Sequence, residues 1–579
     1  MRRGIATVSL SGVLADKIEA IAAAGFDGLE IFDNDLVASP LAPREVARRC
    51  ADLGLSIDLF QPVRDVEGVP PDRFEAVLHR FRAKLSVMAE LRATSVLCCS
   101  NVGREALDDP DLSAEQLARL GDLAADHGVT IAYEALAWGR HVDRVGQAWD
   151  VVRRAAHPAV TLAVDTFHML ARGDDGDALS GVPGDRIGFL QVADAPLLDM
   201  DVLQWSRHFR CFPGEGSLDV AGVVRATLDA GYDGPVSLEV FSDVVREADP
   251  ATTARDAMRS LVFLEDRLGL GDVPPPPGAV DAAFLEVPGG PGVTDLLGAL
   301  GFGEVGRHRT KPVGWWRSGD AHVVVNDSSP DPALGVVATP VAGVATRAKA
   351  LLWPELDRTR GAGEALLPGI TSPSGLHVFV SAEPGDADHW QGDFEPTAPV
   401  SGDLLGIDHV VLAVPSLRLD EQVSFLRTLL ALDPGDVEEF MEPHGRLRSR
   451  AFRPGTGDLR VVLNVEDGRP SSSGISQVAF ACSDVRGSVL ACRRAGVPLM
   501  PVPDNYYADL DARFGLHPEL LADLREHQLL YDRVGAGELL HAFTAPLTTG
   551  FHVELLERRG GYDGYGAAST HVRLAVQRG

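Results

Sequence analysis

The chain has 579 residues, of which 45% are hydrophobic and 23% charged, and its formal net charge is −30 at pH 7. This length exceeds the roughly 100–250 residues that one hydrophobic core holds, so two or more domains are expected. The acidic balance argues against nucleic acid and anionic membrane surfaces as partners, and an anionic small-molecule substrate would need local positive charge. Six scattered cysteines without a CxxC pair indicate neither a disulfide scaffold nor a zinc knuckle.

The N-terminus, MRRGIATVSLSG, is typical of a first strand, because it lacks the apolar region and cleavage site of a signal peptide. No apolar run reaches the roughly 18 residues of a membrane helix. Together with reduced cysteines, these features favour a cytoplasmic protein. The oligomeric state stays open, and a homo-oligomer is compatible with the sequence.

The first 272 residues alternate short, apolar, β-branched segments with amphipathic ones. Alternation of this kind indicates a parallel sheet, and eight such units in about 270 residues predict a closed (β/α)8 or TIM barrel. A doubly wound open sheet is the alternative, but no GxGxxG turn follows the first strand. The predicted strands are 4–10, 28–32, 56–60, 95–100, 130–136, 161–167, 186–194 and 235–241.

The clearest boundary is the segment GDVPPPPG at 271–278, whose four prolines stiffen the chain and remove hydrogen-bond donors. We therefore divide the chain into a barrel domain at 1–272, a proline-rich linker at 273–279 and a second domain at 280–579. In the second domain VDAAFLEV (280–287) resembles IDHVVLAV (407–414), and strand-rich segments follow both. This echo predicts a duplicated βαβββ module.

Four consecutive predicted barrel strands each carry one oxygen-bearing side chain near the C-terminal end, where barrel enzymes place their chemistry. Unpaired, converging carboxylates would repel each other, so a cation is the natural partner. Oxygen ligands favour a divalent ion such as Mg²⁺, Mn²⁺ or Co²⁺, the harder ones first. Each residue alone could instead be a solvated rim residue or a salt-bridge partner. The predicted ligands are Glu134, Asp165, Gln191 and Glu239.

Three further residues could act beside such a metal. His168 follows Asp165 by three residues, and an imidazole is suited to general-base catalysis at neutral pH, although a capping or core histidine is the alternative. Arg64 follows the third strand and Arg210 the seventh. Guanidinium groups bind carboxylates, but each arginine could equally lie on the surface.

These motifs also carry a family resemblance. Residues 1–270 resemble the sugar phosphate isomerase/epimerase superfamily and, more closely, the 3-dehydroshikimate dehydratases with a dioxygenase-like C-terminal domain. The motifs are LFQPVRDVEG (59–68), YEALAWGRHV (133–142), DTFHML (165–170), QVADAP (191–196), RHFRCFPGEG (207–216) and SLEVFSD (237–243). The resemblance implies the same four metal ligands, a catalytic His168, and substrate contacts from Arg64, Ser206 and Arg210.

The resemblance predicts a mechanism in which the metal acts as a Lewis acid on the ketone of 3-dehydroshikimate. His168 would remove the proton alpha to that ketone, and loss of the beta hydroxyl as water would lead to the aromatic product protocatechuate. Arg210 is the first candidate for the ring carboxylate. A sugar or inositol isomerase or epimerase with the same metal is the alternative, and a non-catalytic ligand-binding protein is a further one.

Residues 278–579 resemble 4-hydroxyphenylpyruvate dioxygenase and the wider vicinal oxygen chelate superfamily, an α+β fold. The resemblance implies a second metal, held in that family by two histidines and one glutamate. Here the matching positions are His409, Gln477 and Glu554, while Ala282 falls opposite His409 in the first repeat. Gln477 replaces a histidine, which argues against oxygenase activity but leaves metal binding open, and an active dioxygenase with an accessory barrel is the alternative.

Overall fold

The structure is a computed structural model that describes residues 1–290, 292–358, 360–397, 401–442, 445–466, 474–547 and 550–578. It divides into two compact units, Met1–Asp272 and Val273–Gly579. Among the described residues, no helix combines the length and the apolar character needed to span a membrane.

The first unit is a closed barrel of eight parallel strands in which each strand pairs with the next and β8 pairs with β1. The TIM-barrel prediction is therefore confirmed. The strands are β1 (Arg3–Ala6), β2 (Gly28–Phe32), β3 (Ser56–Val63), β4 (Ser95–Cys99), β5 (Thr130–Glu134), β6 (Val160–Asp165), β7 (Ile187–Val192) and β8 (Val236–Leu238).

Helices surround this barrel and cover the outward face of its strands with one continuous apolar core. Local signals set their ends: α5 begins at Pro110 because the Asp109 carboxylate accepts hydrogen bonds from two backbone N–H groups of the first turn. The helices are α1 (Leu14–Ala24), α2 (Asp33–Ala38), α3 (Pro43–Asp52), α4 (Phe74–Leu91), α5 (Pro110–Asp126), α6 (Val145–Ala155), α7 (Thr166–Ala171), α8 (Val202–His208), α9 (Val220–Asp229), α10 (Asp243–Glu247) and α11 (Pro250–Leu268).

Several strands end earlier than their apolar pattern predicts. The first predicted strand ran to residue 10, but β1 ends at Ala6 and a 3-10 helix, Thr7–Ser9, follows. The sixth stops at Asp165, because this carboxylate accepts a hydrogen bond from the backbone N–H of His168 and caps α7. The early stop places Asp165 and His168 together at the C-terminal rim of the barrel.

The described residues of the second unit form two eight-stranded sheets. The first consists of β9 (Asp281–Pro288), β10 (Gly303–His308), β11 (Val313–Ser318), β12 (Ala321–Asn326), β13 (Ala333–Val337), β14 (Gly369–Thr371), β15 (His377–Ser381) and β16 (Phe394–Pro396). The second consists of β17 (Leu404–Ala413), β18 (Leu432–Glu442), β19 (Gly445–Pro454), β20 (Val461–Glu466), β21 (Gly474–Cys482), β22 (Leu530–Val534), β23 (Gly537–Phe543) and β24 (His552–Arg559). The helices are α12 (Val293–Ala299), α13 (Val341–Ala350), α14 (Leu419–Leu430), α15 (Val485–Arg494), α16 (Asp504–Phe514), α17 (Pro518–His527) and α18 (Thr570–Arg578).

Each sheet is built from two modules of the βαβββ type. The duplication predicted from the sequence therefore relates two sheets of two modules each, and not two single modules. The second sheet has the order β18-β19-β20-β17-β21-β24-β23-β22, which is symmetric about the β17–β21 pair. In the first sheet, the second module has only an isolated bridge between Glu355 and Ile370 in place of one strand, and β16 is added beside β10. The echo was visible because it compared β9 with β17, the strands that begin the two sheets.

Candidate active site

Side chains alternate between the two faces of each strand, and this alternation places the predicted ligands inside the barrel. A residue two positions after an inward residue is therefore also inward. A small apolar cluster fills the interior and includes Ala132, Ala163 and Phe189. Two residues further along the same strands lie Glu134, Asp165 and Gln191. Glu239 follows directly after β8, and all four ligand candidates are buried.

Two of these buried side chains carry an oxygen without a hydrogen-bond partner, Glu134 Oε1 and Gln191 Oε1. Such orphaned acceptors are costly in a folded protein unless a ligand or an ion uses them. In the described part of the chain, one group of three side chains has the geometry to hold a metal ion: Glu134, Asp165 and His168, whose ligand atoms lie within 4.8 Å of one another. The donor set therefore fits a divalent cation.

Arg210 lies at the centre of the site rather than at its rim. Its Nη1 donates to Asp165 Oδ2 at 3.0 Å and to Glu239 Oε2 at 3.2 Å. Its Nε and Nη2 donate to the hydroxyl oxygen of Ser206 at 3.2 and 2.8 Å. Both Arg210 and Ser206 are fully buried, so the structure brings these two predicted residues to the metal-ligand candidates.

Burial and neighbouring charges shift the pKa values of the three carboxylates of the site. Burial raises the pKa of Glu134 well above its usual range, and Asp165 and Glu239 raise it further. Burial also raises the pKa of Glu239, against the effect of Arg210. For Asp165 the effect of burial is outweighed by Arg210 and His168, and its pKa is lowered. Arg210 supplies one positive charge against three ionisable carboxylates, and a divalent ion would balance the negative charge that remains when all three are ionised.

His168 stands over these carboxylates, with Nε2 3.9 Å from Glu134 Oε1 and 4.0 Å from Asp165 Oδ2. Burial, followed by the charge of Arg210, lowers its pKa to about 3, so the ring is neutral. Both ring nitrogens face N–H donors: Ala137 N lies 3.1 Å from Nδ1, and Arg210 Nη2 lies 3.1 Å from Nε2. A neutral ring has a lone pair for only one of them, and these surroundings disfavour its protonation.

Two further arginines, Arg64 and Arg207, influence the electrostatics of the site. Arg64 and Arg207 are both partly exposed, and the charge of each lowers the pKa of His168. The guanidinium of Arg207 lies 5.8 Å from the ring of Trp138 and 5.3 Å from that of Phe241. Sequence reasoning missed Arg207, although it lies in the RHFRCFPGEG motif three residues before Arg210.

Sequence reasoning also missed Glu30, which is fully buried on β2. Its carboxylate accepts hydrogen bonds from Gln191 Nε2 at 2.7 Å, Gln61 Nε2 at 3.0 Å and Ser237 Oγ at 2.5 Å. The available signal was a charged residue in the middle of the apolar segment GLEIF.

The second unit brings His409, Gln477 and Glu554 together on β17, β21 and β24. Gln477 Nε2 donates to Glu554 Oε2 at 2.5 Å, and His409 Nε2 lies 3.4 Å from the same oxygen. The other oxygen, Oε1, pairs with His541 Nδ1 at 2.6 Å. His541 is a member of this cluster that sequence reasoning missed.

Burial and ion pairing act in opposite directions in this cluster. Burial lowers the pKa of His409, but hydrogen bonds to Asp408 and Glu554 outweigh it and raise the pKa to about 9, so the ring is protonated in this hydrogen-bonded arrangement. Burial is likewise outweighed at Glu554, where His409 and His541 lower the pKa to about 2. An imidazolium–carboxylate pair therefore stands at these positions, beside a cavity of about 50 Å³.

Comparison with known proteins gives matches along the whole chain. The xylose isomerase-like TIM barrel family matches residues 18–264, and the Glyoxalase/Bleomycin resistance protein/Dioxygenase superfamily matches residues 406–519. Proteins named 3-dehydroshikimate dehydratase from Pseudomonas putida and Pseudomonas aeruginosa are each 42% identical, over 100% of this chain and 98% of theirs. A solved structure described as a xylose isomerase-like TIM barrel/4-hydroxyphenylpyruvate dioxygenase fusion protein aligns at a TM-score of 0.91 and 40% identity, covering 100% of this chain and 99% of its own.

Proposed function

Since this chain belongs to the 3-dehydroshikimate dehydratases in which an isomerase-like barrel is joined to a dioxygenase-like domain, we propose that its barrel converts 3-dehydroshikimate to protocatechuate with a bound divalent ion. The observation that carries the proposal is that two buried oxygens, Glu134 Oε1 and Gln191 Oε1, have no hydrogen-bond partner, while Asp165 groups with Glu134 and lies in register with Gln191. The full-length relatives favour this dehydration over the sugar isomerase alternative.

Glu134, Asp165, Gln191 and Glu239 would hold the ion. When bound, a divalent ion supplies Lewis-acid polarisation of a ketone oxygen and balances the charge that develops on it. Gln191 contributes a neutral oxygen, which keeps the site from gathering a fourth negative charge. The interior cluster beneath the ligands excludes water from below.

His168 is the proposed base for the proton alpha to the ketone. Burial and the nearby arginines keep the ring neutral, the form that accepts a proton. Asp165, whose Oδ2 lies 4.0 Å from Nε2, opposes this lowering of the pKa and is the group that would stabilise the imidazolium. The rings of Trp138 and Phe167 pack against the imidazole, with centroids 5.1 and 5.8 Å away, and fix its plane.

Arg207 and Arg64 are the proposed ligands of the substrate carboxylate. The guanidinium of Arg210, first choice from the sequence, already donates to Asp165, Glu239 and Ser206. Arg64 and Arg207 are more exposed, and they repel each other enough to lower the pKa of Arg207 after burial has done so. A carboxylate between them would relieve this repulsion.

The experiment follows the aromatic ultraviolet absorbance of the product when full-length protein, Mn²⁺ and 3-dehydroshikimate are mixed. We expect turnover by the wild type, none after chelation with EDTA, and none from Glu134→Ala. Glu90→Ala, an exposed glutamate of α4, is the matched control and should keep full activity. Full activity of Glu134→Ala, or turnover in the presence of EDTA, would show that the metal assignment is wrong.

A further inference from the structure

We propose that Glu30 is a positioning residue, which turns the amide of Gln191 so that its oxygen rather than its nitrogen faces the metal. This inference rests on the proposed metal site and adds a residue that does not itself touch the ion. It concerns how an amide, whose two ends have opposite hydrogen-bonding character, is made into a dependable ligand.

Glu30 lies in a fully enclosed hydrogen-bond network. Its Oε2 accepts from Gln191 Nε2 at 2.7 Å and from Gln61 Nε2 at 3.0 Å, while Oε1 accepts from Ser237 Oγ at 2.5 Å. Glu30, Gln61, Gln191 and Ser237 are all at most 1% exposed, so water does not compete for these bonds. Burial of this kind makes each polar contact expensive to lose.

The chemistry of Glu30 Oε2 fixes the orientation of the amide. An ionised carboxylate only accepts hydrogen bonds, so the Gln191 NH₂ group must face it. A protonated Glu30, with its hydrogen on Oε1 towards Ser237, still leaves Oε2 as an acceptor. Gln191 Oε1 is consequently turned away from Glu30, and it is the atom left without a protein partner.

The reversed amide would fail at both ends. Its oxygen would lie against Glu30 Oε2, an acceptor, and its NH₂ group would point towards the ion, to which an amide nitrogen offers no usable lone pair. A glutamate at position 191 would need no orientation, but it would bring a second carboxylate against Glu30 at the 2.7 Å contact. The Glu30–Gln191 pair therefore supplies a ligand oxygen without that repulsion.

The test measures Mn²⁺ affinity of the full-length, EDTA-treated protein from the electron paramagnetic resonance signal of free Mn²⁺. Glu30→Met fills the same space without an acceptor, and we expect it to weaken Mn²⁺ binding by about 10- to 100-fold. Glu30→Gln can present its amide oxygen at the Oε2 position and its NH₂ group to Ser237, so it should bind Mn²⁺ nearly as the wild type does. Ser237→Ala, which leaves the Oε2 contacts in place, is the matched control.

A double-mutant cycle separates orientation from general loss of structure. Glu30→Met should weaken Mn²⁺ binding when residue 191 is glutamine, but not in a Gln191→Glu background, because a carboxylate presents an oxygen in either orientation. Equal weakening in both backgrounds, or wild-type affinity of Glu30→Met, would overturn the inference and leave the proposed function standing. Failure of the wild type to bind Mn²⁺ would overturn the metal site and this inference together.

Discussion

Arg210 Nη1 lies 3.0 Å from Asp165 Oδ2, and both side chains are 1% exposed. This is a buried ion pair inside a predicted metal site, so the arginine neutralises part of the charge that a divalent ion would otherwise balance. The same nitrogen reaches Glu239 Oε2 at 3.2 Å, which ties two ligand candidates to one cation.

Replacement of Arg210 by methionine should abolish activity and destabilise the metal-free barrel by about 3–5 kcal/mol, because two buried carboxylates lose their partner. Added Mn²⁺ should stabilise this variant more than the wild type, since the ion then supplies the missing charge. Calorimetry of the barrel transition, with EDTA and with Mn²⁺, measures both effects. Equal Mn²⁺ stabilisation of the two proteins would contradict this account.

Replacement of His168 by alanine should lower kcat by about 10²- to 10⁴-fold, because the proposed base is lost. Mn²⁺ affinity should stay close to that of the wild type if His168 moves protons and the four oxygen donors hold the ion. A parallel loss of Mn²⁺ binding would instead make His168 a ligand, as its grouping with Glu134 and Asp165 allows.

Replacement of Arg207 by methionine should raise KM by about 10- to 100-fold with little change in kcat, since a charge-assisted bond to the substrate carboxylate is lost. Arg246→Met is the matched control, because Arg246 also lies over Phe241, at 5.9 Å, but is more exposed. Steady-state kinetics on both variants decide the matter, and an unchanged KM in Arg207→Met would refute the assignment.

Glu67 gives a prediction about pH. Burial raises its pKa from 4.5 to about 7, although Asn101 N and Tyr133 OH donate to its Oε1. The stability that this raised pKa contributes is complete below pH 4.5 and is lost as the pH rises towards 7. Glu67→Gln avoids that loss, so it should be more stable than the wild type by up to about 3 kcal/mol at pH 8 and gain nothing at pH 4. Denaturant unfolding at the two pH values measures this, and a pH-independent difference would be inconsistent with it.

The second unit should consume no oxygen when it is given Fe²⁺ and 4-hydroxyphenylpyruvate. Gln477 occupies the position at which the pattern of two histidines and one glutamate expects a histidine, and its NH₂ group donates to Glu554. An oxygen electrode measures the rate, with an authentic dioxygenase as the positive control. Oxygen uptake that depends on Glu554 would restore the dioxygenase alternative.

Much of the barrel could be predicted from the sequence, because strand alternation and helix periodicity are local properties. Glu134, Asp165 and Gln191 could be predicted for the same reason, since each is the last or next-to-last residue of an apolar strand whose direction the fold dictates. The role of Glu30 could not be read in this way, because its partners Gln61 and Ser237 are 31 and 207 residues away.

Arg207 and Arg210 show a second limit of the sequence. Both lie in one motif, yet Arg210 is fully buried against the carboxylates while Arg207 stays partly exposed between two aromatic rings. The motif shows that both residues are charged, but it does not show where α8 ends. That end, at His208, lies between the two arginines and decides which of them faces inward.

The partners of Glu30 lie on β3, β7 and β8, so its bonds cross β1, the strand at which the barrel closes into a ring. The Glu30 carboxylate therefore links the strands on either side of the point where the barrel closes, and it also orients the ligand candidate Gln191. By linkage, an ion that binds the oriented amide of Gln191 also stabilises the pairing of β8 with β1. Withdrawal of the ion should thus quicken amide exchange at this seam before the outer helices respond.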